Sequence, residues 1–177
     1  MKRQITACIF VGLALLILFK GVEIARSGWW LVSQTLPGGL TVHYYKDKDL
    51  SVYVCKRTER QVTKMYESGR PAWGVPHSNF SASWEGFLLV PQDAEYKFYM
   101  QSDDGSRLYI DNDKVIDRWD DHGWVPGSHG GKVLSSGKHS IRVEHYNAGG
   151  EAGIRLRWFG GPIPADTIVA TPYITKR

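Results

Sequence analysis

The sequence predicts an all-β protein, an antiparallel β-sandwich of the jelly-roll-like kind, preceded by one N-terminal transmembrane helix. Three observations lead to this fold class. From Leu40 onward apolar residues alternate with polar ones, turn-forming residues separate the alternating runs, and a nearly continuous apolar stretch covers residues 5–19. The chain of 177 residues has room for one such domain beside the apolar stretch.

Residues 1–22 are predicted to be a signal anchor that spans the membrane. Lys2 and Arg3 precede the apolar run, and Lys20 ends it with a side chain long enough to reach the membrane surface. Since no small-residue cleavage pattern follows, an uncleaved anchor is favoured over a removed signal peptide. The basic residues place the N-terminus in the cytoplasm, which makes this a single-pass protein with a periplasmic or extracellular C-terminal domain.

A juxtamembrane connector is predicted over residues 23–39. Its tryptophans, Trp29 and Trp30, are expected with Lys20 at the membrane interface or against a partner, because a free linker would be less apolar. The turn-forming "LPGG" then ends the connector.

Residues 40–177 are predicted to form the sandwich domain, whose strands show the two-residue period of a half-buried sheet. Groups of apolar residues expected on the buried faces are Tyr96, Phe98 and Met100; Leu108 and Ile110; Ile141, Val143 and His145; and Ile154, Leu156 and Trp158. Residues 56–79 lack this period, and we expect a long surface loop with a short helix there.

Composition and motifs argue against two classes of function, nucleic-acid binding and catalysis. The net charge of +4 comes from scattered basic residues, so we expect no nucleic-acid partner. No Ser-His-Asp, Cys-His or phosphate-loop signature is present, and we predict no catalytic residues and no enzymatic activity. The two cysteines are Cys8, within the span, and Cys55, so the exported part has no disulfide partner for Cys55.

Two long stretches are recognisable, "NFSASWEGFLLVPQDAEYKFYMQSDDGSRLYIDNDKVIDRWDDHG" and "GKHSIRVEHYNAGGEAGIRLRWFGGP". Together they resemble the PA14 domain family, named after the fourteen-kilodalton domain of toxin protective antigen. The resemblance extends over residues 40 to about 168. It implies a β-sandwich that acts as an extracytoplasmic binding module, and lectin members of the family bind sugars through a calcium ion.

The adjacent carboxylates of Asp103 and Asp104 are the candidate metal ligands, because calcium takes six to eight oxygen ligands. The resemblance implies a cis peptide between the two and a second ligand loop in "EHYNAGGEAG". It assigns the side chain of Asn147 and the carbonyls of Gly149 and Glu151 to the ion, with two sugar hydroxyls completing the shell. The alternative is that "SDDGS" is a turn with solvated carboxylates.

A candidate tryptophan and a cluster of Asp and His residues lie in the chain between the two predicted ligand loops. Trp124 lies in a loop rich in Gly and Pro and is the tryptophan expected to line a sugar site together with Asp103 and Asp104. The spacing of a further cluster matches no zinc or EF-hand pattern and predicts a structural role for its members, Asp117, Asp120, Asp121, His122 and His129.

Two functions from different classes follow. The first is a membrane-anchored module that binds carbohydrate with calcium. The second is a structural accessory subunit of a larger membrane complex, respiratory, photosynthetic or secretory, which docks through its span and its sandwich. Its partners would be the membrane and the other subunits of that complex.

Overall fold

The computed structural model describes residues 38–66 and 69–176 of the chain. The signal anchor (1–22), nearly all of the connector (23–39) and the interface residues Lys20, Trp29 and Trp30 lie outside these ranges, so they stay predictions, as do the domain bounds. Within the described ranges, no helix has the length and apolar composition that a membrane span requires.

The described residues form twelve β-strands and no α-helix. In chain order the strands are β1 Leu40–Tyr45, β2 Tyr53–Glu59, β3 Thr63–Met65, β4 Phe80–Val90, β5 Ala94–Asp103, β6 Ser106–Ile110, β7 Asp113–Arg118, β8 Ser128–Leu134, β9 Gly137–Asn147, β10 Gly153–Gly160, β11 Ile163–Ile168 and β12 Ile174–Thr175.

The strands form two antiparallel sheets. The larger has the order β2-β1-β4-β9-β6-β7, with β12 also pairing β4, and the smaller has the order β11-β10-β5-β8, with β3 also pairing β10. Both sheets contribute to one core of buried residues, which confirms the predicted antiparallel sandwich.

The two-residue period correctly predicted which side chains face this core. Tyr96, Phe98 and Met100 on β5 are buried and lie beside Trp158 and its neighbours on the adjacent strand β10. Trp158 stacks on Tyr96 with ring centroids 5.3 Å apart. The remaining predicted groups are also fully buried, namely Leu108, Ile110, Ile141, Val143, His145, Ile154 and Leu156.

The expectation for residues 56–79 was wrong in part. Residues 56–59 belong to β2 and residues 63–65 form β3, and the described part of this stretch contains no helix. Because β2 is an edge strand whose side chains are mostly exposed or half-buried, its sequence lacks the apolar alternation. Backbone pairing to β1, from Leu40↔Glu59 to Tyr45↔Tyr53, creates the strand.

Pairing of β4 with β9 sets the two ends of the sandwich. Its register runs from Phe80↔Asn147 at one end to Val90↔Gly137 at the other. We call the first the loop end, because the described parts of five connections meet there: residues 46–52, 66 with 69–79, 104–105, 119–127 and 148–152. The chain enters the domain toward the opposite end, where Gly38 bridges to Thr175 and Thr175 pairs with Phe87.

Candidate functional site

The loop end holds the adjacent aspartates. Asp103 is the last residue of β5, Asp104 is in the turn that leads to β6, and the peptide bond between them is cis, as the resemblance implied. Gly105 follows against the ring of Tyr146. A Cβ at this glycine would lie 2.3 Å from Tyr146 Cε1, so the close approach requires a residue without a side chain.

The Asp104 carboxylate ties two neighbouring loops together. It is only 6% exposed, and its Oδ1 accepts a hydrogen bond from the backbone N–H of His122 at 2.8 Å. Its Oδ2 accepts one from the N–H of Ala148 at 2.7 Å. Burial of this charge is therefore offset by charge-assisted hydrogen bonds, and the turn residue is fixed between the β7–β8 and β9–β10 loops.

Asp103 is half-buried beside it. Burial, followed by the neighbouring Asp104 carboxylate, raises the pKa of Asp103, and the charge of Glu151 acts in the same direction. His122 and an N–H hydrogen bond from Trp124 oppose the increase in pKa. Asp103, Asp104 and Glu151 form no salt bridge with Lys, Arg or His in the described ranges. A local excess of negative charge therefore remains at the loop end.

The second predicted ligand loop lies beside the aspartates. Asn147 ends β9 and is fully buried, and its Oδ1 accepts a hydrogen bond from the N–H of Gly149 at 3.0 Å. Its Nδ2 donates to the carbonyl of His77 at 3.4 Å. These two hydrogen bonds orient the Asn147 amide, with its nitrogen toward His77 and its oxygen toward the β9–β10 loop. The structure thus brings Asp103, Asp104, Asn147 and the Gly149 and Glu151 loop to one place.

Trp124 also lies at this end. Its ring lies so close to Gly153, the first residue of β10, that a Cβ there would be 2.9 Å from Trp124 Cζ3. The Arg155 guanidinium lies 5.7 Å from the centroid of the Trp124 ring. The backbone N–H of Trp124 donates a hydrogen bond to Asp103, so Trp124 borders the candidate site.

His145 contacts the backbone of Asp103 from within the core, a role that sequence reasoning missed. Its ring is fully buried, stacks parallel to Tyr66, and has Nε2 2.9 Å from the backbone carbonyl of Asp103. A carbonyl only accepts, so Nε2 carries the proton, and burial lowers the pKa of His145 to about 4. The signal in the sequence was a histidine on an apolar strand face.

A second support missed from sequence joins the β1–β2 loop to the site. Lys48 Nζ donates to Asp121 Oδ1 at 3.0 Å, and the hydroxyl of Tyr146 donates to the same oxygen at 2.6 Å. Asp121 immediately precedes His122, whose backbone N–H donates a hydrogen bond to the Asp104 carboxylate. The chain positions of these residues, 48, 121 and 146, gave no indication that they would meet.

Four members of the five-residue Asp and His cluster make separate contacts with neighbouring side chains. Asp117 pairs with Arg107 and Lys114, Asp120 lies 3.6 Å from Arg118, and Asp121 is held as above. The ring of His129 packs on Tyr99 with centroids 4.7 Å apart. These residues are therefore spread over several separate contacts.

The donor set at the loop end suits a hard cation only if amide and carbonyl oxygens take part. In residues 38–66 and 69–176, no group of three or more Asp, Glu, His or Cys side chains is arranged to hold a metal ion. Two carboxylates, one amide oxygen and backbone carbonyls are nevertheless ligands that calcium accepts. The residues present thus fit a calcium ion whose shell is completed by further oxygens.

A β-sandwich with a polar candidate site on the loops of one end is a common form of extracellular binding domain. The model of the PA14 domain matches residues 37–169, three quarters of the chain, and the chain belongs to that family. This confirms the resemblance found in the sequence.

Similar proteins are longer than the described domain. The chain is 29% identical over 121 residues to "Anti-sigma-I factor RsgI3" of Acetivibrio thermocellus, a match that covers 68% of this chain and 19% of that protein. Among solved structures it resembles an anti-sigma factor domain-containing protein from Clostridium clariflavum, with 27% identity, a TM-score of 0.72, and coverage of 81% of this chain and 50% of that one. The chain therefore spans half or less of these relatives.

A more distant structure shares the fold alone. It is titled "PA14 sugar-binding domain from RTX adhesin" and has 16% identity, a TM-score of 0.62, and coverage of 79% of this chain and 99% of that one.

Proposed function

We propose that this chain is a membrane-anchored, extracytoplasmic and non-enzymatic module that binds carbohydrate through a calcium ion. The observation that carries the proposal is the meeting of Asp103, Asp104 and Asn147 at the loop end, with Glu151 nearby. This negative charge has no Lys or Arg partner among the described residues, and a divalent cation would neutralise it.

The ion would be held by the carboxylates of Asp103 and Asp104, the amide oxygen of Asn147, and carbonyls of the loop with Gly149 and Glu151. When bound, calcium supplies positive charge and open coordination positions for two vicinal sugar hydroxyls. Trp124 at the border of the site offers an apolar wall to the sugar ring. The RTX adhesin domain, which is described as sugar-binding, shares the fold of this chain and supports carbohydrate as the class of ligand.

The membrane anchor and the exported location rest on the sequence alone. Lys2, Arg3 and the apolar run over residues 5–19 support an anchor with a cytoplasmic N-terminus. The accessory-subunit alternative stays a prediction as well, because the contacts of residues 5–33 would test it and these residues lie outside the described ranges.

Calcium binding is tested on the full chain in mild detergent by thermal unfolding, first in chelator and then with increasing calcium. Binding to the folded state raises Tm by mass action. Asp103→Asn should abolish the increase, because a neutral amide removes one of the charged ligands. Glu95→Gln, an exposed carboxylate near the opposite end of β5, should leave it unchanged. Equal Tm values with and without calcium in the unaltered protein would reject the calcium site.

Carbohydrate binding is tested in the same preparation on immobilised xylan, galactan, mannan, β-glucan and pectin. We expect retention on at least one of them that chelator reverses. Calcium-dependent stabilisation without retention would leave a structural ion, and retention that persists in chelator and in Asp103→Asn would place sugar binding elsewhere.

A further inference from the structure

We infer that Trp73 is a stacking platform for a sugar ring and forms a second contact for the carbohydrate proposed at the loop end. This inference rests on the proposed function. Trp73 lies in the β3–β4 connection and is 89% exposed, although tryptophan is the largest apolar side chain and is usually buried.

The backbone under Trp73 is firmly held. Its neighbours in the chain, Ala72 and Val75, are buried at 4% and 0% exposure, and the N–H of Val75 donates to the carbonyl of Ala72 at 3.2 Å. Gly74, with φ of +82°, takes the position of this β-turn that requires a left-handed residue. The turn is seated on β2, where a Cβ at Gly74 would lie 3.2 Å from Val54 Cγ1. The exposed indole therefore stands on a fixed support.

The same connection is joined to the candidate site. Four residues after Trp73, the carbonyl of His77 accepts the hydrogen bond from Asn147 Nδ2. Asn147 is a proposed calcium ligand, so the turn and the ligand loop share a direct contact. A chain of sugars that extends from the ion would therefore meet the Trp73 indole on the neighbouring connection.

The surroundings of Trp73 fit a sugar better than a protein surface. In the described part of the same connection, the other exposed residues are polar side chains or glycines, namely Gly69, Arg70, Gly74, His77, Ser78 and Asn79. A pyranose has an apolar face of C–H groups surrounded by hydroxyls, which matches one aromatic ring with a polar rim. Val52 and Tyr53, beside Val54, are also exposed, but a stable protein interface needs a broader apolar area than these side chains provide with Trp73.

The test compares Trp73→Ala with Phe159→Ala, which removes another exposed aromatic side chain near the opposite end of the sandwich. The full-length protein and both variants are measured in calcium on the polysaccharides named above. We expect Trp73→Ala to weaken retention about tenfold, the effect of losing one aromatic contact. Phe159→Ala should bind normally, and both should keep the calcium-dependent increase in Tm, because neither touches the ion.

Each other outcome contradicts either the inference about Trp73 alone or the proposed function as well. If Trp73→Ala is retained like the unaltered protein, the platform is wrong and the proposed function stands. If the unaltered protein binds none of the polysaccharides, the carbohydrate function and the platform are both wrong. If Trp73→Ala instead loses a cross-linked protein partner while polysaccharide retention is unchanged, the residue belongs to a protein interface.

Discussion

The Asp104 carboxylate oxygen Oδ2 lies 2.7 Å from the backbone nitrogen of Ala148, forty-four residues further along the chain. Through this bond and its counterpart to His122, a single buried side chain holds the aspartate turn against two other loops. Asp104 therefore has a structural function whether or not an ion is present, whereas Asp103 contributes mainly charge.

This difference predicts opposite effects on stability. In chelator, Asp104→Ala should lower the free energy of unfolding by about 2 to 4 kcal/mol, because two backbone N–H groups lose a charged acceptor. Asp103→Asn should leave the free energy of unfolding unchanged or increase it, since it removes repulsion from Asp104 and Glu151. Urea unfolding of both variants provides the measurement. An equal loss in both would contradict the division of roles.

A second prediction concerns the half-buried carboxylate of Glu59. Its Oε1 accepts hydrogen bonds from Tyr44 at 2.8 Å and Lys64 at 2.9 Å, and its Oε2 accepts one from Trp84 Nε1 at 2.8 Å. Glu59→Ala should cost about 3 to 5 kcal/mol, because it leaves these donors without an acceptor.

Glu59→Gln is the matched control, since its amide keeps one acceptor oxygen. It should cost clearly less than Glu59→Ala in the same urea titration. Equal losses in the two variants would mean that packing, rather than hydrogen bonding, determines the contribution of Glu59.

A third prediction concerns the two buried tryptophans of the core, Trp158 and Trp84. Trp158 Nε1 is buried without a hydrogen-bond partner, whereas Trp84 Nε1 is bonded to Glu59. Trp158→Phe should therefore cost less than about 1.5 kcal/mol, since the loss of volume is partly offset by removing an unpaired N–H. Trp84→Phe should cost more, because it also removes a hydrogen-bond donor to the Glu59 carboxylate.

Trp158→Ala sets the scale for this comparison and should cost about 3 to 5 kcal/mol. All three variants are compared by urea unfolding. A larger loss for Trp158→Phe than for Trp84→Phe would contradict the hydrogen-bond assignment.

A fourth prediction concerns acid stability at the turn between β6 and β7. Asp111 accepts hydrogen bonds from the Ser140 N–H at 2.9 Å and from His139 Nδ1 at 2.6 Å. Burial alone would increase the pKa of Asp111, but these hydrogen bonds outweigh it and lower the pKa below its ordinary value of 3.8. A lowered folded-state pKa stabilises the fold above the unfolded-state pKa and loses that contribution as pH falls through the folded-state pKa.

We therefore expect the unaltered protein to lose Tm more steeply than Asp111→Asn as the pH falls below about 4. Glu95→Gln, which removes an exposed carboxylate, is the control and should follow the unaltered protein. Thermal unfolding across this pH range provides the measurement, and parallel curves for Asp111→Asn and the unaltered protein would refute the contribution of Asp111.

Strand periodicity was the strongest information in the sequence. It correctly placed residues such as Phe98 and Leu156 in the core, because alternation directly reports which face of a sheet is buried. It failed for β2 and β3, where pairing to neighbouring strands rather than apolar burial produces the strand.

The site was predictable only in its residue types. The sequence offered Asp103, Asp104 and Asn147 as oxygen donors, but their meeting depends on the register of β9 with β4 and β6. Backbone donors such as the N–H of Ala148 carry no signature in the sequence, because every residue except proline has one. Trp73 was not singled out either, since its exposure follows from the turn beneath it.

The bridge between Gly38 and Thr175 has a further consequence. The two ends of the domain meet next to Phe87, seven residues along β4 from the Phe80 end where the candidate site lies, which is about 23 Å at the rise of a strand. Sequence can therefore be attached before or after the domain at this shared exit without obstructing the loops. The candidate site then points away from whatever is attached at that exit.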